Sequence, residues 1–156
     1  MRRHSEEFLK IHPEMRDKDQ ATTRKACEKF ALIPTSVMNF LEGTRFTPAK
    51  HARQGSPYKH LLKPKAGGLA LALNAMGDKF HSILDVTIVY PDGAPKFGQF
   101  LLGKLKRVIV RVRSLPVPQH LAQGDYAGDP AVREGYQKWV QQMWLEKDAQ
   151  IGKLMA

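Results

Sequence analysis

Val37-Met38-Asn39-Phe40-Leu41-Glu42-Gly43-Thr44-Arg45-Phe46 is an apolar run that stops in an acid, a glycine, a hydroxyl and an arginine. Pro34 bars a helix from running into it, and Ser36 to Leu41 is rich in residues that suit a buried strand. Gly43 then permits a sharp turn or a close backbone approach to a ligand. The expected architecture is α/β, a sheet flanked by helices. Glu42 and Arg45 would sit at the end of one strand, where open α/β sheets place their ligands. The plainer alternative is a strand that ends in a surface ion pair.

Upstream of this run, residues 4–10 read as a short helix broken by Ile11-His12-Pro13. Asp19 is a candidate N-cap for a second helix to about Leu32, with Thr23, Ala26, Cys27, Phe30 and Ala31 facing inward. Downstream, Phe46 to Tyr58 reads as a long basic loop punctuated by Thr47-Pro48 and Gly55-Ser56-Pro57. Leu61-Leu62-Lys63-Pro64-Lys65-Ala66-Gly67-Gly68 then leads into a buried helix from Leu69 to Met76. Lys63, Lys65 and the free N–H groups at Gly67 and Gly68 make that helix start a candidate anion site. The alternative is a small-residue helix packed on a sheet, with exposed lysines.

Ile83 to Tyr90 reads as a strand closed by Pro91-Asp92-Gly93, and Val108 to Val112 as another. Between them, residues 97–105 suggest a short amphipathic helix whose apolar face is expected to pack on the core. Membrane contact is the second reading there, because Lys96, Lys104, Lys106 and Arg107 adjoin it. Asp129-Pro130 supplies an N-cap and a first-turn proline for a C-terminal helix at about 129–154. Its stripe is Val132, Tyr136, Trp139, Val140, Met143, Trp144, Ile151 and Leu154.

A length of 156 residues suits one domain, and 42% hydrophobic with 26% charged residues suits a globular one. The net charge of +10 points to an anionic partner: nucleic acid, an acidic membrane surface or a phosphorylated small molecule. The lone Cys27 excludes an internal disulfide framework and a cysteine-rich metal site. No apolar run approaches the roughly 20 residues that span a bilayer. No apolar signal core follows Met1-Arg2-Arg3-His4. Nucleic acid ranks below lipid, since no recognition motif and no array of aromatics among the basic residues accompanies the charge.

Phe40-Leu41-Glu42-Gly43-Thr44-Arg45-Phe46 resembles the third block of the PlsC-type glycerolipid acyltransferases, the 1-acylglycerol-3-phosphate acyltransferase family, which commonly reads F-P-E-G-T-R. Leu41, Phe46-Thr47 and the Leu61 to Gly67 segment are most similar to its lysocardiolipin acyltransferase-like and bacterial YihG-like members. Met1-Arg2-Arg3 is similar to the end of the second block. The resemblance implies transfer of a fatty acyl group from an acyl-CoA or acyl-carrier-protein thioester to a lysophospholipid acceptor, with no other cofactor and no metal. It implies that Glu42, Gly43, Thr44 and Arg45 form the phosphate-binding site, with Arg45 binding the acceptor phosphate, Glu42 orienting the arginine or the acceptor by hydrogen bonds, and Gly43 and Thr44 shaping the turn. It also implies association with an anionic membrane surface, at the cytoplasmic face of the inner membrane.

The family's first block, His-x-x-x-x-Asp, supplies the general base and lies upstream of the second block. Residues 1–156 therefore read as one acyltransferase domain that is incomplete on its N-terminal side. His12 to Asp17 and His120 to Asp125 have the spacing but not the place. The alternative function is a non-catalytic basic module that binds anionic phospholipid. The purified chain is expected to show little or no acyl transfer to lysophosphatidate. Robust transfer, lost on changing His12 or His120, would overturn that expectation.

Overall fold

The computed structural model describes residues 36–76, 79–93 and 97–155. The two expected N-terminal helices, Cys27 and the His12 to Asp17 run lie outside them. Seven elements follow in chain order: α1 (Pro48–Gln54), α2 (Gly67–Met76), β1 (Ile83–Val89), α3 (Phe97–Leu101), β2 (Ile109–Leu115), α4 (Gln119–Ala122) and α5 (Pro130–Met155). The architecture is α/β, with helices around an antiparallel pair of strands.

α5 is the spine. Asp129 caps it, its carboxylate accepting the Ala131 N–H at 2.8 Å, and Pro130 occupies the first turn, where its missing N–H costs nothing. Tyr136, Val140, Met143, Trp144, Lys147 and Ile151 form its buried stripe at helical spacing. Five of these are apolar or aromatic, as expected; the sixth is a lysine. Tyr136 is fully buried, and burial pushes its phenol up to about 12. Asn74 of α2 reaches into the same region. Its Nδ2 donates to the carbonyls of Leu121 and Ala122 and to the Tyr136 oxygen, which fixes α2 against α4 and α5.

β1 and β2 pair in register from Ile83↔Leu115 to Val89↔Ile109. The hairpin turns its polar face inward. Asp85 and Thr87 are buried, while Leu84, Val86 and Ile88 of β1 and Val110 and Val112 of β2 are exposed. The cause is Lys147. Its ammonium donates to Asp85 Oδ1 at 2.5 Å and to the Val86 carbonyl at 2.9 Å, and lies 5.3 Å from the Trp144 ring centroid. Arg113 across the ladder donates to Asp85 Oδ2 at 2.7 Å and to Glu146 at 3.0 Å. A charge taken out of water needs such partners, so the polar residues of the hairpin must face the helix.

Three expectations change. Ser36 to Leu41 is not a strand: the run has no ladder partner among the described residues, and Met38 and Phe40 are exposed. Phe46 to Tyr58 is not a loop throughout, because α1 occupies its middle. Thr47 Oγ1 caps α1 by accepting the Lys50 N–H at 3.2 Å, Pro48 takes the first turn, and Gly55 closes it at φ 53°. Finally, α3 buries none of its residues, so its apolar side does not pack on the core.

The ion cluster gives an asymmetric prediction. Asp85→Ala strands the buried Lys147 ammonium and should cost about 3–5 kcal/mol in urea denaturation. Lys147→Met leaves Asp85 paired with Arg113 and should cost clearly less. Equal losses would show that the cluster does not hold the hairpin.

Candidate functional site

The segment 38–45 turns back on itself. Gly43 N–H donates to the Phe40 carbonyl at 2.8 Å, and Gly43 takes φ 66°, the left-handed region in which a side chain is strained. The turn is then pinned from below. The Leu41 carbonyl accepts the Lys65 N–H at 2.7 Å, and Glu42 Oε1 accepts the Leu62 N–H at 3.1 Å. An open cleft of about 540 Å³ is lined by Met38, Asn39, Phe40, Gly43, Thr44 and Arg45.

Glu42 and Arg45 do not form the ion pair that the plainer reading of the sequence allowed. Glu42 points inward to the Leu62 amide. Partial burial raises its pKa, while the Leu62 N–H and the Lys147 charge pull the other way. Arg45 is exposed, and its guanidinium has no hydrogen-bond or ion-pair partner among the described residues. Thr44 Oγ1 accepts from Lys50 Nζ at 2.7 Å, and the same ammonium donates to the Arg45 carbonyl at 3.1 Å. Lys50 therefore braces the turn from α1, a role that stayed hidden while α1 was read as a loop.

The lysine and glycine candidates separate. Lys65 passes over the turn: a Cβ built on Gly43 would lie 3.7 Å from Lys65 Cδ. Lys63 is exposed, its N–H donates to Gln54 Oε1 at 3.1 Å, and no bond joins it to the turn. Gly67 is the first residue of α2, and a Cβ there would meet the Tyr126 hydroxyl at 3.7 Å. A Cβ on Gly68 would come within 3.1 Å of Asn39 Nδ2, so the start of α2 adjoins the cleft wall. Arg45, Lys50, Lys65 and the first turn of α2 thus surround one small region with positive charge and donor groups.

His120 and Asp125 are not assembled as a proton-transfer pair. His120 is exposed on α4, and Asp125 Oδ1 accepts the N–H groups of Ala127 and Gly128, both at 3.0 Å. Among the described residues no group of His, Cys, Asp and Glu could hold a metal ion.

The turn is held in place by α5. Trp144 Nε1 donates to the Leu62 carbonyl at 3.0 Å, and the Asp148 carboxylate accepts the N–H groups of Lys59 and His60 at 2.8 and 2.7 Å. Leu62 passes that support to Glu42 through its own amide. Glu42 is thus a positioning residue for the turn that carries Arg45.

The chain is similar to curated acyltransferases of glycerolipids. It is 26% identical over 128 residues to lysocardiolipin acyltransferase 1 of Danio rerio, covering 76% of this chain and 31% of that protein. It is 28% identical over 127 residues to the 2-acyl-1-lysophosphatidylinositol acyltransferase of Saccharomyces cerevisiae, covering 74% and 32%. It is 26% identical over 144 residues to the 1-acyl-sn-glycerol-3-phosphate acyltransferase gamma of Mus musculus, covering 85% and 36%. The chain therefore spans about a third of the length of these relatives. No family model and no solved structure matches it.

The Glu42 environment fixes a sign with pH. The folded chain holds the Glu42 proton more tightly than the unfolded chain does, because the group's value is raised from its ordinary 4.5. Its contribution to stability should therefore fall as pH rises from that ordinary value through the folded one. Glu42→Gln keeps an acceptor for the Leu62 amide and removes the ionisation. Denaturation midpoints across mildly acidic pH should fall less steeply with rising pH in that variant than in the parent.

Proposed function

We propose that residues 38–68 form the acceptor-binding part of a PlsC-type glycerolipid acyltransferase, in its lysocardiolipin acyltransferase-like branch. The observation that carries the reading is the exposed Arg45 guanidinium, without a partner among the described residues, beside exposed Met38 and Phe40 in one cleft. A lysophospholipid needs both features. Its phosphate takes paired N–H donors from a guanidinium, and its glycerol and acyl chain take an apolar wall. The named activities of the similar proteins support the same substrate class.

In this reading Arg45 grips the phosphate, and Lys50 and Lys65 raise the local positive potential. Gly43 lets the backbone bend under the headgroup. Glu42 holds the turn in register and stays off the phosphate. Desolvation by the apolar wall would strengthen the Arg45 contact relative to open water. The acceptor hydroxyl would then be presented to an acyl-CoA or acyl-carrier-protein thioester. We assign proton transfer to no described residue, since Asp125 accepts the Ala127 and Gly128 amides and is not bonded to His120. The site would work at an anionic membrane surface, on the cytoplasmic face by resemblance to the family.

Binding of lysophosphatidate tests the assignment. Arg45→Ala should weaken it roughly 10–100-fold, the scale of one lost charge-assisted hydrogen-bonded pair. Lys138→Ala, in an exposed ion pair on α5, serves as a reference substitution. Unchanged affinity in Arg45→Ala would remove Arg45 from the acceptor site.

A further inference from the structure

We propose that residues 97–107, between β1 and β2, form a tip that inserts into the surface of an anionic lipid bilayer. The proposal goes beyond acceptor binding and does not depend on the role of Arg45. Phe97, Phe100, Leu101 and Leu102 stand in solvent at 77, 54, 68 and 74% exposure. Single exposed apolar side chains are ordinary on protein surfaces; four large ones within six consecutive residues are a patch. α3 buries nothing beneath them.

The charge around the patch selects its occupant. From Phe97 to Gly124 the chain carries five cations, Lys104, Lys106, Arg107, Arg111 and Arg113, and no acid. Arg113 is committed to Asp85 and Glu146. Lys104, Lys106 and Arg107 are exposed and make no ion pair among the described residues. Apolar side chains beside unpaired cations match the boundary between acyl chains and anionic headgroups. Long basic side chains can also lie along that boundary with their charges in the headgroup layer.

The backbone of the tip is suited to the same environment. Leu102 N–H donates to the Gly98 carbonyl at 3.1 Å, Gly103 to Phe100 at 3.0 Å and Lys104 to Gln99 at 2.9 Å. Gly103 makes the reversal at φ 67°. These three amides, bonded within the segment, can leave water at little cost, whereas free ones cannot. The tip can therefore enter the interface without opening the hairpin behind it.

The test places an indole in the tip of the full chain by Phe100→Trp. Vesicles of phosphatidylcholine and phosphatidylglycerol, with bromine on the phosphatidylcholine acyl chains, serve as the probe. Quenching should exceed that of the parent, whose tryptophans are Trp139 and Trp144. Vesicles of phosphatidylcholine alone should quench far less. Lys104→Gln/Lys106→Gln/Arg107→Gln should lower vesicle affinity roughly tenfold or more. Phe97→Ser/Leu101→Ser should lower it too, with the circular dichroism spectrum and short-chain lysophosphatidate binding in solution retained. Quenching no greater than the parent's, or equal on both vesicle types, overturns the proposal. So does a loss of short-chain lysophosphatidate binding in the tip variants, since that would make the loss a property of the cleft.

Discussion

The ammonium of Lys147 is the constraint on which the structure turns. It sits in the buried stripe of α5, where an apolar residue would complete the pattern, and burial obliges it to find oxygen. Asp85 and the Val86 carbonyl supply it, so β1 can face the helix in only one way. Arg113 then closes the other side of Asp85 and ties β2 to the same point. A hydrophobic contact would tolerate sliding by a residue; a buried charge with fixed partners does not. The same helix holds the other half of the molecule through Trp144 and Asp148. Both the hairpin and the cleft are therefore referred to one rigid element.

Local chemistry made several elements legible in the sequence. α5 announced itself by Asp129-Pro130 and a long helical stripe, β1 by its β-branched run and Pro-Asp-Gly stop, and α2 by its small apolar residues. The failures have physical causes. Ser36 to Leu41 has the composition of a strand, but a strand is defined by a partner, and composition does not reveal one. Thr47-Pro48 and Gly55 are a helix start and stop, yet the same residues also punctuate turns, and only seven residues lie between the cap bonds. The inward polar face of the hairpin follows from Lys147, some sixty residues away, and periodicity in β1 and β2 alone points to the opposite face.

At the cleft, the residues that would meet a ligand were legible and the residues that hold them were not. Gly43 and Arg45 act through their own backbone freedom and charge, which a short motif displays. Glu42 was legible as an acid, but its partner is a backbone amide twenty residues on, and amides carry no signature in sequence. Lys50 was one cation among many until α1 set its ammonium beside Thr44. Lys63 shows the reverse case: it is close to Lys65 in sequence, but its backbone is turned toward Gln54 and no bond ties it to the turn.

The bonds from α5 to the segment before α2 span sequence separations of 82, 88 and 89 residues. That distance sets an order of events during synthesis. The turn bearing Arg45 leaves the ribosome before α5, and the Leu62 carbonyl and the Lys59 and His60 N–H groups beneath it stay without their indole and carboxylate partners until α5 has emerged. Contacts of such long range are also the slow ones to close. The geometry of the turn is therefore a late product of folding, and a nascent chain carries the motif well before it carries the fixed turn.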